Sequence, residues 1–552
     1  MSIGILDWIV IAGYFGIVIG IAAWAIVKER RGEETSADYF LAGRNIGWFV
    51  VGASLFASNI GSEHLVGLAG TGAKTGLVMG QFELQASLIL LLLGWVFVPF
   101  YIRSGVFTMP EFLERRYSPA ARWYLAVIMV IGYVLTKISV TVFAGGLVIE
   151  SLTGVNFWTG AIVIVIITGI YTVFGGLRAV VYTDMLQAIV LLIGAATVTI
   201  LGLIKLGGWG AMVEIAEPEF FNIWKSASDP DFPWTGMAFG APIIAIWYWC
   251  TDQFIVQRTL SARGIDDARR GTIFAAYLKQ LPLFLFVLPG VIAYCLAKTG
   301  QIQLEDPDTA LPTLVAALLP VGLKGLVIAS LLAALMSSLS SVFNSCSTLI
   351  TLDIYKKFRP DSSEKTLVSV GQIATVVLVF LGIAWIPVME RISGALYEYL
   401  QSVQAYISPP IASVFLLGLL WKRLNATGAM ASLVSGFVLG MGRMFLEIYK
   451  DSLAEGSFLY SYATINFLNF AGFLFIICSG ILIIVSLLTK EPDAEQIRGL
   501  TFATASEGGG SDLDIARASS DPAWRQKDVI LSGVTIVLVV GIMIYFSNLF
   551  FS

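Results

Sequence analysis

Residues 55–70 read LFASNIGSEHLVGLAG, and this polar interruption of an apolar run decides how the chain folds. It places Ser58, Asn59, Ser62 and His64 at a depth where a membrane helix meets no water. A polar group without a partner in hydrocarbon costs several kcal/mol. The segment therefore either does not span a bilayer or lines a polar cavity.

The composition is typical of a polytopic membrane protein. Of the 552 residues, 57% are hydrophobic and 13% are charged, whereas a soluble domain carries about a quarter charged residues. Apolar runs long enough to form membrane helices recur along almost the whole chain. The single histidine argues against a histidine-based metal centre or a pair of haem ligands.

Fourteen membrane spans are predicted. With the N-terminus outside, about 24 of the 34 lysines and arginines fall in cytoplasmic connections, in agreement with the positive-inside rule. Both termini then lie outside, and the protein is expected in the plasma or inner membrane. The spans lie near 6–27, 46–73, 77–102, 122–151, 157–175, 181–207, 238–257, 272–298, 311–350, 366–388, 393–421, 427–448, 464–489 and 528–550.

Two of these spans are interrupted in matching ways, the second at SNIGSEH (58–64) and the seventh at WYWCTDQ (247–253). Five helices followed by five of opposite topology, each set opening with a broken helix, are typical of an inverted-repeat transporter. The predicted parts are a first helix and cytoplasmic loop (1–45), a first repeat (46–207), a second repeat (238–421), two peripheral helices (427–489), a polar cytoplasmic linker (490–527) and a last membrane helix outside the working core (528–552).

Small oxygen-bearing residues on the ninth span indicate a first cation site. Ala334, Ser337 and Ser338 have i, i+3, i+4 spacing and share one helix face. Together with carbonyl groups of Ala57 and Ile60, freed at the break, they offer neutral hard oxygens that suit Na⁺. Alternatively, the serines only hydrogen-bond the backbone or allow close packing of helices.

A second cation site is predicted slightly further round the same helix, at Ser337, Ser340 and Ser341. Asp184, a lone carboxylate entering an apolar run, is expected to join them closer to the cytoplasm. The alternatives are that Asp184 caps a helix at the membrane interface or pairs with Arg178.

Charged residues inside apolar segments indicate a solute site. Glu83 and Lys279 should not persist in lipid unless they pair or face a cavity. A sugar combines hydroxyl groups with an apolar face that stacks on aromatic rings, which matches the donors, acceptors and rings available here. The predicted solute-binding residues are Asn59, His64, Glu83, Tyr248, Trp249, Lys279 and Gln401.

Structural alternatives exist for several of these residues. Glu83 and Lys279 are also consistent with a purely structural ion pair, and His64 with a histidine satisfied at the helix break. Lys137 is a further buried charge, in YVLTKISVTVF, for which the sequence indicates no partner.

Longer motifs resemble the sodium:solute symporter family, in its sodium/sugar cotransporter branch. The resemblance implies an all-α, LeuT-like fold of ten core helices with extra helices at both ends. The strings that carry it lie between residues 38 and 420 and read DYFLAGRN, GASLFASNIGSEHLVGLAGTGA, GWVFVPFYIRSGVFTMPEFLERRY, VFGGLRAVVYTDMLQ, IWYWCTDQFIVQRTLSAR, LMSSLSSVFNSCSTLITLDIY and YLQSVQAYISPPIASVFLLG.

The resemblance also implies roles for individual residues. The sugar-contacting positions of the family match Asn59, His64, Glu83, Trp249, Lys279 and Gln401, and Tyr248 matches the inner gate that stacks on the sugar. The first sodium site matches Ala57, Ile60, Ala334, Ser337 and Ser338. The second site, present in members that couple two sodium ions to each sugar, matches Asp184, Ser340 and Ser341.

The resulting prediction is sodium-coupled symport of a neutral sugar or polyol of the glucose/galactose type, by alternating access, with Na⁺ as coupling ion and no cofactor. The sequence departs from the pattern of the family's glucose carriers at two places: Leu84 and Gln85 stand where those carriers commonly have Trp-Asn, and Ala245 stands where a polar residue often contacts the substrate. The SEH sequence at 62–64 is similar to that of the inositol-carrying members. A myo-inositol or other solute symporter is therefore the alternative.

From another class, a passive channel or facilitator would show rings of like charge or repeated filter motifs, which the sequence does not contain. The residues form no enzymatic constellation, so an enzyme is not expected. The expected partners are the lipid bilayer, sodium and the solute, without a nucleic acid or an obligatory protein.

Overall fold

The structure is a computed structural model that describes residues 3–29, 35–61, 63–392, 396–507 and 519–551. Within these ranges the chain is almost entirely helical, and extended pairing is limited to two isolated bridges, Ile46 with Ala262 and Lys225 with Pro233. The four cysteines are free and buried.

The α-helices, numbered in chain order, are α1 Ile5–Glu29, α2 Ser36–Leu41, α3 Trp48–Asn59, α4 Leu68–Thr75, α5 Gly80–Leu92, α6 Val98–Ser104, α7 Met109–Arg116, α8 Pro119–Tyr133, α9 Ser139–Thr153, α10 Phe157–Leu206, α11 Trp209–Ala216, α12 Trp234–Phe239, α13 Ala241–Ile246, α14 Gln253–Leu260, α15 Ile265–Leu278, α16 Leu288–Lys298, α17 Ala310–Leu318, α18 Leu323–Thr348, α19 Lys356–Phe358, α20 Glu364–Ile392, α21 Leu396–Leu420, α22 Ala426–Ile448, α23 Phe458–Thr464, α24 Phe467–Leu488 and α25 Pro522–Tyr545. Six π-helical turns join or extend these helices, at Glu63–Gly67, Leu93–Phe97, Val134–Ile138, Trp247–Thr251, Leu283–Val287 and Leu349–Tyr355.

Eleven helical stretches in the described ranges are long and apolar enough to cross a membrane, which confirms the predicted multi-pass, all-α class. The number is below fourteen because neighbouring predicted spans merge and broken spans count as short helices. His64–Ser104 joins the end of the second predicted span to the third, and Phe157–Leu206 joins the fifth to the sixth. The first half of the second span, Trp48–Asn59, is too short to be counted by itself.

Glycines with non-helical geometry separate the fifth predicted span from the sixth within α10, and divide the ninth predicted span into two helices. α10 changes direction at Gly176, whose φ of 50° and ψ of −154° are accessible to glycine and strained for other residues. The single span predicted at 311–350 is wrong, because Ala310–Leu318 and Leu323–Thr348 are separate helices. Gly322 between them has φ 94°, and Pro320 lacks the N–H that a continuous helix needs.

α18 forms the centre of the molecule. It packs along α10, α1 and α3. Of the 18-residue apolar segment within Leu323–Phe358, 94% is buried, whereas the corresponding share for α25 is 22%. A helix that is enclosed by others on all sides forms the core of a helical bundle. Its hydroxyl groups therefore face protein and not lipid.

The last helix packs against the bundle instead of standing apart from it. α25 lies against α5 and α15, and its fully buried Asp528 accepts a hydrogen bond from Arg270 Nε over 2.9 Å. The described part of the linker packs as well, since Ile497 and Leu500 are buried. The helix is peripheral, with only 22% of its most apolar segment buried, and its place outside the working core stays a prediction; residues 508–518 of the linker lie outside the described residues.

Candidate functional site

The first broken segment loses its regular helical hydrogen bonding after Asn59. Ile60 N–H still donates to Phe56 O over 3.2 Å, but the Ile60 backbone is extended, with φ −82° and ψ 96°. The chain resumes as the π-helical turn Glu63–Gly67 and then as Leu68–Thr75. The predicted break is present, and like every helix end it leaves backbone carbonyl groups without intrahelical partners.

The second break lies in the seventh predicted span. Trp247–Thr251 form a π-helical turn, and Asp252 is extended, with φ −78° and ψ 126°, before α14 begins. The Asp252 carboxylate caps α14 by accepting a hydrogen bond from Phe254 N–H over 3.1 Å. Turns of this kind are frequent at functional sites, and this one carries Tyr248 and Trp249.

All seven residues predicted to bind a solute line one cavity beside the two breaks. Its volume is about 90 Å³. The structure brings together Asn59, His64, Glu83, Tyr248, Trp249, Lys279 and Gln401. The cavity is also lined by Lys137, Thr141 and Gln404, which sequence reasoning did not assign to it.

The polar residues of this cavity form a connected network. Lys279 Nζ donates to Asn59 Oδ1 over 2.5 Å and also pairs with the Glu83 carboxylate. His64 Nε2 lies 3.4 Å from Glu83 Oε1, and Asn59 Nδ2 donates to Tyr248 OH over 3.0 Å. The Glu83–Lys279 ion pair anticipated as a structural alternative thus exists, and it forms part of the cavity wall.

Aromatic faces complete the wall. The rings of Tyr248 and Trp249 meet edge to face with centroids 5.2 Å apart, and Lys279 Nζ lies 5.5 Å from the Trp249 ring centroid. Edge-to-face rings leave part of each face available for stacking against an apolar C–H surface.

Lys137 has a partner that sequence reasoning missed. Its Nζ lies 3.4 Å from Asp252 Oδ2 and close to two ring centroids, 4.3 Å from that of Tyr248 and 3.8 Å from that of Phe254. Asp252 is fully buried and also accepts a hydrogen bond from Tyr133 OH. The sequence feature that could have predicted this pair is Asp252 in the broken WYWCTDQ segment, because a buried cation needs a buried anion nearby.

Asp184 lies at the centre of a second polar cluster. It is fully buried, and its carboxylate accepts hydrogen bonds from Ser337 Oγ and Ser54 Oγ, each over 2.6 Å, and from Ser58 Oγ over 3.1 Å. Arg258 Nη2 lies 3.9 Å from its Oδ2. These hydroxyls surround the carboxylate with oxygen atoms, which is the ligand type that alkali cations prefer.

The alternatives for Asp184 are wrong. Arg178 donates to Ala42 O over 3.1 Å, and the basic group beside Asp184 is Arg258 instead. Arg258 lies one residue beyond the predicted seventh span, 238–257, yet it is fully buried within α14 and its Nε donates to Ser58 Oγ over 2.9 Å. The predicted span ends too early because the second half of a broken helix, here the polar α14, resembles a cytoplasmic connection in sequence.

The residues of the first predicted cation site are all buried where α18 meets the end of α3: Ala57, Ile60, Ala334, Ser337 and Ser338. Ser338 Oγ donates to Ser58 O over 3.2 Å, which brings the two elements into contact. Ser341 Oγ lies 2.9 Å from Ser58 Oγ, and Ser340 Oγ donates to Ser337 O of its own helix. Ser337 is thus shared by both predicted sets.

A family model for the sodium:solute symporters matches residues 39–436, which contain both breaks, the cavity and the Asp184 cluster. The chain belongs to the sodium:solute symporter family. This confirms the resemblance carried by the motifs.

Curated relatives within the family cover most of the chain. Sodium/glucose cotransporter 1 of Oryctolagus cuniculus is 40% identical over 89% of this chain and 80% of its own length. Sodium/glucose cotransporter 4 of Homo sapiens is 40% identical over 90% and 78%. The sodium/myo-inositol cotransporter of Mus musculus is 40% identical over 90% and 75%.

A solved structure of a Na⁺-coupled sialic acid symporter, in a substrate-bound outward-open state, shares the fold of this family member. Its TM-score is 0.75 at 22% identity, and the match covers 89% of this chain and all of the other. This likeness confirms the predicted LeuT-like class of helical membrane protein.

Proposed function

We propose that this family member is a sodium-coupled symporter of a neutral sugar or polyol. The observation that carries the proposal is the placement of consecutive residues at the first break. Ser58 hydrogen-bonds the Asp184 carboxylate, and Asn59 hydrogen-bonds Lys279 and Tyr248 in the cavity wall. A cation that orders this break therefore orders the solute site as well.

The charges that line the cavity support a neutral solute. Glu83 is paired with Lys279, and Lys137 lies beside Asp252. Each lysine has a carboxylate at close range, so neither offers an unpaired positive charge to an anionic substrate. The remaining amide, hydroxyl and ring groups suit alternating hydroxyls and C–H faces.

The proposed sodium ligands are the two sets assigned from the sequence. The first, Ala57, Ile60, Ala334, Ser337 and Ser338, supplies neutral oxygens, and the second, Asp184, Ser337, Ser340 and Ser341, includes a carboxylate. The hydrogen bonds of Ser54 and Ser58 to Asp184 support the addition of these two hydroxyls to the second set. Tyr248 is proposed as the inner gate.

Two coupled ions give the transporter a steep driving force. Each sodium charge that crosses 100 mV contributes about 2.3 kcal/mol, and about 1.4 kcal/mol corresponds to a factor of ten in accumulation.

Sodium binds first from outside and organises the break, the outer gate closes over the solute, and Tyr248 then yields to release both inward.

The membrane orientation and internal repeats belong to the same proposal. Both termini face outward in the plasma or inner membrane, as the distribution of basic residues predicts. The repeats comprise 46–207 and 238–421, and each contains one of the two broken helices.

Uptake into proteoliposomes tests this function. Labelled glucose, galactose and myo-inositol are each offered with an inward sodium gradient, with matched potassium and protein-free liposomes as controls. We expect sodium-dependent accumulation of at least one of them, and saturable counterflow separates a carrier from a channel. The proposal fails if none accumulates above the potassium control.

A further inference from the structure

A polar stripe on α18 continues beyond the Asp184 cluster. Ser337, Ser341, Asn344 and Thr348 follow each other by four, three and four residues, so they lie on one face of α18, and Thr351 follows in the π-helical turn Leu349–Tyr355. Contacts show where this face points. Ser341 Oγ lies 2.9 Å from Ser58 Oγ on α3, and Thr348 Oγ1 accepts a hydrogen bond from Gln257 Nε2 on α14 over 2.8 Å.

Asn344 stands out in this stripe. Its side chain is 1% exposed, and neither its Nδ2 nor its Oδ1 has a hydrogen-bond partner among the described residues. The Thr351 hydroxyl, two turns further along, is buried and without a partner in the same part of the chain. A buried amide with all of its hydrogen-bonding capacity unused requires an explanation, commonly a water molecule or ion that occupies the site.

The surroundings of Asn344 are otherwise well satisfied. Thr348 Oγ1 donates to Asn344 O over 2.7 Å, and Ser345 Oγ donates to Gln257 Oε1 over 3.1 Å. The unused amide is thus confined to one position on the stripe. The helix then loosens into the π-helical turn Leu349–Tyr355, which contains Thr351 and which weakens regular backbone hydrogen bonding.

We propose that Asn344 forms a transient cation site on the release route between the Asp184 cluster and the cytoplasm. This inference rests on the proposed sodium coupling. The ion that leaves Asp184 and Ser341 is received by Asn344 Oδ1 about 4.5 Å further along the helix, and then by the Thr351 hydroxyl. The amide Nδ2 carries no formal charge, so the site binds the ion weakly enough to release it.

Arg258 supports the departure of the ion. Its guanidinium lies 3.9 Å from Asp184 Oδ2 and remains there as a tethered cation when sodium moves on. The buried carboxylate is then not left without a positive partner, which would be strongly unfavourable.

The test compares net uptake with exchange in proteoliposomes. Exchange of labelled for unlabelled sugar at equal, saturating sodium on both sides needs no net release of the ion, because internal sodium keeps the ion sites occupied. We expect N344A to lower net sodium-driven uptake about tenfold, the effect of losing one hydrogen-bonding group. Its exchange rate and its external sodium dependence should remain those of the unmutated protein.

Two further variants, C346A and N344D, distinguish a cation site at Asn344 from a structural role of this residue. C346A changes a buried residue on the opposite side of α18 and should leave both rates unchanged. N344D keeps an oxygen and adds a charge, so the ion is held more tightly and internal sodium should inhibit uptake at lower concentrations. A structural role for Asn344 does not predict that shift.

Several outcomes would overturn the inference. They are equal losses of net uptake and exchange in N344A, unchanged rates in both, or an unaltered internal sodium inhibition in N344D. If N344A does not fold, the N344D measurement decides alone. Failure of the proposed function is distinguishable, because the unmutated protein would then show no sodium-dependent uptake.

Discussion

Ser58 and Asn59 are neighbours in the chain and both line the cavity, yet their side chains hydrogen-bond to different polar clusters. Ser58 Oγ donates to Asp184 Oδ2 over 3.1 Å, whereas Asn59 Nδ2 donates to Tyr248 OH over 3.0 Å. Helix α3 ends at Asn59, so a small change in the backbone at this helix end moves both side chains. This arrangement provides a short physical connection between cation binding and solute binding.

Loss of the Asp184 charge should reduce coupling more than solute binding. In D184N the isosteric amide no longer favours a second cation, so the Hill coefficient for sodium should fall from about two to about one. Accumulation at 100 mV should drop roughly 40-fold, the contribution of one charge. Sodium-dependent sugar uptake measures both quantities.

A matched control is available on the same helix. The Ser347 hydroxyl is buried but donates to Gly371 O, away from Asp184, so S347A should leave the sodium dependence unchanged. A D184N variant with an unchanged Hill coefficient and full accumulation would contradict the second-site assignment.

Neutralising Glu83 should weaken sugar binding without removing sodium binding. E83Q removes the anion that pairs with Lys279 in the cavity wall, and a lost charged hydrogen bond raises the half-saturating sugar concentration by about tenfold or more. Sodium should still raise the melting temperature of the purified variant. Loss of the sodium effect together with sugar affinity would show that Glu83 acts on the overall structure instead.

The Tyr248 hydroxyl and ring should make separable contributions. Y248F loses the acceptor for Asn59 Nδ2 but keeps the ring 4.3 Å from Lys137 Nζ, and we expect a rise of about threefold to tenfold in half-saturating sugar. Y248A also loses the stacking surface and should be weaker still. Equal effects of the two substitutions would argue against a stacking role.

The Lys137–Asp252 pair should be strongly coupled in stability. D252N leaves Lys137 buried beside a neutral amide, which should cost about 3–5 kcal/mol in the free energy of unfolding. The double variant K137M/D252N should recover most of that loss, and a double-mutant cycle measures the coupling. The exposed Glu217–Lys298 pair serves as control, because E217Q should leave stability unchanged. Additive effects at 137 and 252 would be inconsistent with a direct ion pair.

Gly176 should tolerate no side chain. Its φ is 50°, and a Cβ there would lie 2.5 Å from the Tyr39 carbonyl oxygen, so G176A should destabilise the protein by about 2 kcal/mol or more. Gly132 has open space around its Cβ position, and G132A is the matched control. Thermal unfolding in detergent compares the two variants, and similar melting temperatures would be contrary to this geometry.

The sequence by itself determined the membrane class, the positions of most spans and both helix breaks. It also identified seven residues that line one cavity. These features are local, because the length of an apolar run and the cost of a polar residue in hydrocarbon depend on a single segment. A polar group within such a segment must face a cavity, whichever helices surround it.

Only the tertiary structure decided which of these polar groups meet. Lys137 and Asp252 are 115 residues apart in the chain, and Arg258 faces Asp184 although its position resembles a cytoplasmic loop. Ser54 and Ser58 lie against Asp184, and Asp528 of the last helix packs on Arg270. Such pairings depend on how distant helices cross and rotate, and neither periodicity nor charge along one chain specifies that geometry.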